Sequence, residues 1–145
     1  MAGELVLTPS GGSAITYSDA VAATQPFYTH AGKYVDQHPV PGNKRQAWQD
    51  VDAPGVDGLD PRPLGTRGRL LGPFRVWYVG ASENAVATAF LADLAALDGK
   101  AVEVQHPTAG TFANCRLVEG RPVQAPTPAG SVYWMQALVT LEEVD

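Results

Sequence analysis

The sequence predicts an α+β fold, a mainly antiparallel β-sandwich or small β-barrel with one flanking α-helix at about residues 83–98 and long loops. Three observations lead there. Short apolar runs with period-two alternation occur towards both ends of the chain, and one segment between them carries helical spacing. Fifteen glycines and 12 prolines punctuate the intervals. At 145 residues the chain suits one domain, 1–145, which buries ~70% of its unfolded surface.

Leu5-Val-Leu, preceded by Glu4 and followed by Thr8, reads as a strand ending at Pro9-Ser-Gly-Gly12, and Ala14-Ile-Thr-Tyr17 reads as its hairpin return. From Ser18 to Asn43 the alternation breaks up, with Pro26, Gly32, Pro39, Pro41 and Gly42 among isolated aromatics, so a long loop or arm is expected over 18–43. Lys44 to Val51 resumes a strand. Ala53 to Val79 opens with Gly55-Val-Asp-Gly58 and the connector Leu64-Gly-Thr-Arg-Gly-Arg69. It reads as a loop entering a strand from near Arg69, where Phe74, Val76 and Tyr78 alternate with Arg75, Trp77 and Val79.

Ser82 stands where an N-cap belongs, and Glu83 puts a negative charge in the first turn. Val86, Phe90, Leu94 and Leu97 then recur at helical spacing as a core-packing face, until Gly99 ends the helix. Three further strands are expected at 101–105, 111–118 and 132–141, separated by His106-Pro-Thr-Ala-Gly110 and by Gly120 to Gly130. In the second, alternation places Ala113, Cys115 and Leu117 on one side. In the last, Tyr133, Met135, Ala137, Val139 and Leu141 make one apolar face.

Composition and spacing argue against several function classes. A formal net charge of −5 does not suit a protein built chiefly to displace counterions from phosphates. Locally the balance reverses, since Lys44, Arg45, Arg62, Arg67, Arg69 and Arg75 face only Asp50, Asp52, Asp57 and Asp60 over residues 44–75. Cys115 is the single cysteine, which rules out an internal disulfide and suits a reducing compartment; it reads as a small core residue. The start lacks a signal peptide, and no apolar run approaches the ~20 residues of a membrane span, so a cytoplasmic site of synthesis is expected.

No catalytic, cofactor-binding or metal-binding residue is predicted, and the chain reads as a non-enzyme. His30, His38 and His106 lack metal-pair spacing, and Glu142, Glu143 and Asp145 read as a solvated tail. Gly65-Thr-Arg-Gly68 precedes a strand and does not lie between helices, so it does not fit the RNA-clamping loop it superficially matches. No Gly-Lys-Ser/Thr follows the glycines to make a phosphate loop, and no nucleophile elbow surrounds Ser10, Ser13, Ser18, Ser82 or Ser131.

Pro54-Gly-Val-Asp-Gly58, Leu64 to Arg69, the helix ending Leu97-Asp-Gly-Lys100, the Gln105-His-Pro107 turn, the Phe112 to Leu117 strand and the terminal Tyr133 to Glu143 strand follow one another in an order that resembles tailed-bacteriophage tail proteins. The likeness is to the distal-tail, baseplate-hub and tube-like β-barrel group, and covers roughly residues 44–145. It implies a structural subunit of a distal-tail, hub, tube-like or terminator ring. Such subunits close into a ring, expected to be hexameric, around a channel through which DNA passes without specific binding. It implies other tail or baseplate proteins as partners, no membrane, no cofactor, and a location in the virion tail after assembly in the host bacterial cytoplasm. Ring subunits need heterologous surfaces, which segments 18–43 and 53–68 would supply. Tyr28, Tyr34, Trp48, Asp57, Arg62, Arg67 and Arg69 are the interface candidates, with Arg67 and Arg69 as charged anchors. For Trp48, Trp77 and Trp134 an interface and a core or half-buried position are equally suited. The alternative is a small split-barrel protein, an enzyme among its variants, that binds a cofactor or an anionic small ligand; Arg67 and Arg69 would then converge on one pocket.

Overall fold

A computed structural model of the chain describes residues 4–20, 30–42, 45–52 and 59–144, with backbone alone for 45–67. Among the described residues nine strands and one helix run in the order β1 (Leu5–Pro9), β2 (Ile15–Asp19), β3 (Gly32–Gln37), β4 (Arg45–Asp52), β5 (Leu59–Arg67), β6 (Leu70–Gly80), α1 (Glu83–Leu97), β7 (Val102–His106), β8 (Gly110–Ala129) and β9 (Val132–Glu143). Seven strands close a barrel in the order β1-β2-β3-β6-β9-β8-β7, with β7 returning to β1. The sheet therefore curls onto itself and has no open edge strand. β4 and β5 form a separate two-stranded sheet.

Three expectations about where strands and connections lie change. The stretch 18–43 contains β3, a barrel strand whose Ser18↔Tyr34 and Asp19↔Val35 pairing with β2 is parallel. A parallel neighbour cannot be reached by a tight hairpin and needs a crossover of about a dozen residues, which is why the sequence before β3 looks like a loop. Residues 21–29 of that crossover lie outside the described residues. Within 53–68, residues 59–67 are strand β5, and 53–58 lie outside the described residues. Lastly, the Gly120–Gly130 interval is no separator. β8 continues to Ala129 against β9, and shifts of register after Leu117, Pro122 and Gln124 accommodate its glycine and prolines.

Inward residues of the barrel form one cluster in which Leu5, Leu7, Val35, Leu71, Phe74, Val76, Val102, Val104, Ala137 and Leu141 are wholly buried. Each large side chain so placed contributes roughly 1.5–3 kcal/mol of transfer free energy. In β9 the predicted apolar face holds, with Met135, Ala137, Val139 and Leu141 buried and Tyr133 packed against them. In β8 the predicted side is corrected: Phe112 and Cys115 are buried, whereas Ala113 is exposed. A bulge explains the change, because Val102 pairs with Cys115 and Val104 with Phe112, so three steps of β8 span two of β7.

The Ser82 hydroxyl caps α1 by accepting the Ala85 N–H at 3.1 Å, and Gly99 leaves the helix at φ +72. α1 packs on β6, β8 and β9 and adds Val86, Phe90 and Leu97 to the core. Asp93 lies on this same buried face, with Leu94 only partly buried beside it. The Asp93 carboxylate accepts the Tyr78 hydroxyl at 2.8 Å and pairs with the Lys33 ammonium at 2.7 Å. Since the Tyr78 proton is given to Asp93, the 2.6 Å contact between hydroxyls makes Tyr17 the donor to Tyr78. Burial is the main cause that raises both phenols above the ordinary tyrosine range, so the hydroxyls of Tyr17 and Tyr78 keep their protons. This network ties β2, β3 and β6 to the helix.

Candidate assembly surface

The β4–β5 hairpin is inserted between β3 and β6, strands that are direct antiparallel neighbours in the barrel. The barrel is thus complete across the insertion point, and the hairpin is an excursion from it. Its register runs from Arg45↔Arg67 at the barrel end to Asp52↔Leu59 at the far end, with a shift between Ala47 and Trp48. Charge is graded along this ladder: Arg45 and Arg67 pair at the base, while Asp50, Asp52 and Asp60 occupy the distal positions. Pro61 and Pro63, two residues apart in β5, withhold the backbone N–H on one edge of the strand. That edge resists indiscriminate strand addition.

Both stems of the excursion are fastened to the barrel. On the outgoing side, Arg75 of β6 holds Asp36 of β3 through contacts of 2.6–3.0 Å, a fork-on-carboxylate arrangement that raises the guanidinium pKa further. Three residues on, the Pro39 carbonyl lies 3.0 Å from Nε2 of the buried His106. On the returning side, Arg69 donates to Glu143 at 3.3 Å, lies 5.5 Å from the Phe112 ring, and accepts the Glu143 N–H at its carbonyl at 2.9 Å. Gly68 is buried directly against the Glu143 carbonyl, where a Cβ would overlap it. The glycine is therefore a requirement of close backbone approach.

The interface candidates separate accordingly. Trp48, Arg62 and Arg67 are all on the hairpin, at the pairs Trp48↔Pro63, Gln49↔Arg62 and Arg45↔Arg67. Tyr34 lies in barrel strand β3, opposite Trp77 of β6, and its hydroxyl donates to the His30 carbonyl at 3.0 Å. Arg69 is engaged within the returning stem. Tyr28 and Asp57 lie outside the described residues. Trp77 and Trp134 meet each other at 4.8 Å between ring centres, on neighbouring strands β6 and β9.

Two further surfaces had no signal in the sequence. A cleft of about 710 Å³ beside the outgoing stem is lined by Asp19, Asp36, His38, Pro39 and Pro73. An apolar groove of about 590 Å³ runs between α1 and β8, lined by Phe90, Leu91, Leu94, Pro122, Val123 and Met135. Leu91 is 61% and Val123 48% exposed there. Elsewhere Cys115 is buried and its thiol is pushed up to about 12, chiefly by burial and then by Glu143, which makes it a poor nucleophile. Among the described residues no group of three or more His, Cys, Asp or Glu side chains is placed to share a metal ion, and no helix is long and apolar enough to cross a membrane.

No family model matches the chain, and no curated protein resembles it at a significant level.

Proposed function

We propose that the protein is a structural subunit of a bacteriophage tail that assembles with copies of itself into a ring, expected to be hexameric, around the DNA channel. The observation that carries this reading is the β4–β5 hairpin, a two-stranded sheet fastened at both stems to a closed barrel. A closed barrel offers no edge strand to a neighbour, so lateral contacts must come from its outer faces and from excursions. An isolated two-stranded hairpin is marginal in water and gains stability by packing against another surface. A second copy of the chain, repeated around a rotation axis, supplies such a surface once per subunit. The distal-tail or baseplate ring is the preferred position, with tube-like and terminator rings as variants of the same assembly. Other tail proteins would bind above and below, and the virion tail, assembled in the host bacterial cytoplasm, is the corresponding location. A net charge of −5 suits a channel along which DNA slides without sticking.

Light scattering of the purified chain over a range of concentrations, with negative-stain images, tests the reading. Closed particles with a central hole are the expected outcome. A compact monomer at every concentration, also when mixed with tail structures lacking this component, contradicts it.

A further inference from the structure

We propose that His106 is an acid-released catch that fixes the chain leaving β3 for the β4–β5 hairpin, holding it only while the imidazole is neutral. The ring is buried at the end of β7 and is gripped from two sides. Its Nδ1 accepts the backbone N–H groups of Thr108 and Ala109, each at 3.0 Å. An imidazole nitrogen that accepts two N–H groups carries no proton, so the proton of the neutral ring sits on Nε2, which donates it to the Pro39 carbonyl at 3.0 Å. One tautomer thereby joins the β7–β8 turn to the outgoing stem.

The stem is suited to being steered from this point. Residues 38–42 run without secondary structure from the end of β3 towards β4, and Pro39 and Pro41 restrict their backbone and that of the residues before them. Fixing the Pro39 carbonyl therefore fixes the direction in which the hairpin departs.

Protonation undoes the grip at Nδ1. A new N–H there would face the Thr108 and Ala109 N–H groups at 3.0 Å, with only the Thr108 hydroxyl, at a long 3.4 Å, beside it as an acceptor, so protonation drives the ring from its seat or opens the turn. The Pro39 bond goes with the displaced ring. The surroundings offer little compensation. From the stem, the His38 imidazole stands edge-on at 5.7 Å. From β6 comes Phe74, an uncharged ring at 5.7 Å. On the β7–β8 side the ring shares a hollow with Gln105, Pro107, Gly110 and Thr111, all uncharged, and with Glu4 ahead of β1, while on the far side of the stem Asp19 and Asp36 line the cleft with His38 and Pro39. Burial lowers the His106 pKa below the ordinary value of 6.5, in agreement with a seat built for the neutral ring. The catch stands on these contacts whether or not the ring assembly does.

Proton NMR of the full chain, titrated from about pH 8 to about pH 4, tests it. The expected result has three parts. Overhauser contacts between the His106 ring and Pro39 are present at the alkaline end and vanish as His106 titrates, below the ordinary imidazole pKa. Thr108 and Ala109 amides exchange up to about tenfold faster, relative to intrinsic rates, for each pH unit from the ordinary imidazole pKa down to that midpoint, and the gain levels off below it. In His106→Gln this added pH dependence disappears. The proposal is overturned if the Pro39 contacts survive full protonation of His106, if the ring never titrates over the range, or if His106→Gln keeps the same pH response. The wild-type titration decides the matter alone should the variant not fold.

Discussion

The barrel and the β4–β5 hairpin are both antiparallel β-structure for most of their length, yet they treat their edges in opposite ways. In the barrel each strand has a neighbour on either side, and the inward faces share one core with α1. Among the described residues the hairpin pairs only with itself, and Pro61 and Pro63 take two N–H donors out of β5. Closure makes the barrel self-sufficient, while the hairpin's stability depends on what it packs against. The two are joined where β3 and β6 already lie side by side, so the barrel does not need the hairpin in order to close. The difference separates a scaffold from an arm.

Substitutions in the barrel should unfold the molecule, and the largest effect is expected in the core. Phe74→Ala removes a wholly buried ring and should cost about 3–5 kcal/mol by denaturant titration. Asp93→Ala comes next, at about 2–3 kcal/mol, because it strands the Tyr78 hydroxyl and the Lys33 ammonium; the figure is kept low since Lys33 is a third exposed. A barrel that tolerated both changes would not be the self-sufficient unit described. Gly68→Ala, at the returning stem, should cost about 1–3 kcal/mol by forcing the Glu143 backbone away. A neutral result there would show that the stem is not seated on β9.

A smaller effect depends on pH. The folded state raises the Cys115 thiol from 9.0 to about 12, so the native chain holds this proton after the unfolded chain has lost it. Stability from this site is complete below pH 9 and declines as pH rises from there towards 12. Between pH 9 and pH 10 the loss should be about 1 kcal/mol in the wild type. Cys115→Ala should flatten that interval, as read by urea midpoints at the two pH values.

How far the fold could be read from the chain depended on whether local pattern or tertiary pairing decided each element. The β1–β2 hairpin, β6, α1 and β9 carry alternation, caps or helical spacing in their own residues, and the structure has them close to the expected bounds. β3 was hidden because its parallel pairing demands a long crossover whose composition reads as loop. β5 was hidden by Pro61, Pro63 and Gly65, which a hairpin edge accepts and an interior strand would not. On α1, Leu94 drew attention by its apolarity, although the buried face runs Val86, Phe90, Asp93, Leu97. Asp93 can stand there only because Tyr78 and Lys33, distant in sequence, meet it. The seat of His106 was equally invisible, since it is made by Pro39 and by backbone amides. Of the interface candidates, three fall on the arm, and Arg69 turns out to hold one of its stems.

Replacing residues 45–67 by a short Gly/Ser linker, and comparing this variant with the wild type by sedimentation velocity and thermal unfolding, tests the division of labour most directly. Joining neighbouring strands by a shorter connection changes loop-closure entropy by only about 0.6 kcal/mol per halving of length. The account predicts an unfolding midpoint within a few degrees of the wild type, together with loss of ring assembly. A variant that unfolds at ambient temperature, or one that still closes into the same ring, would contradict it.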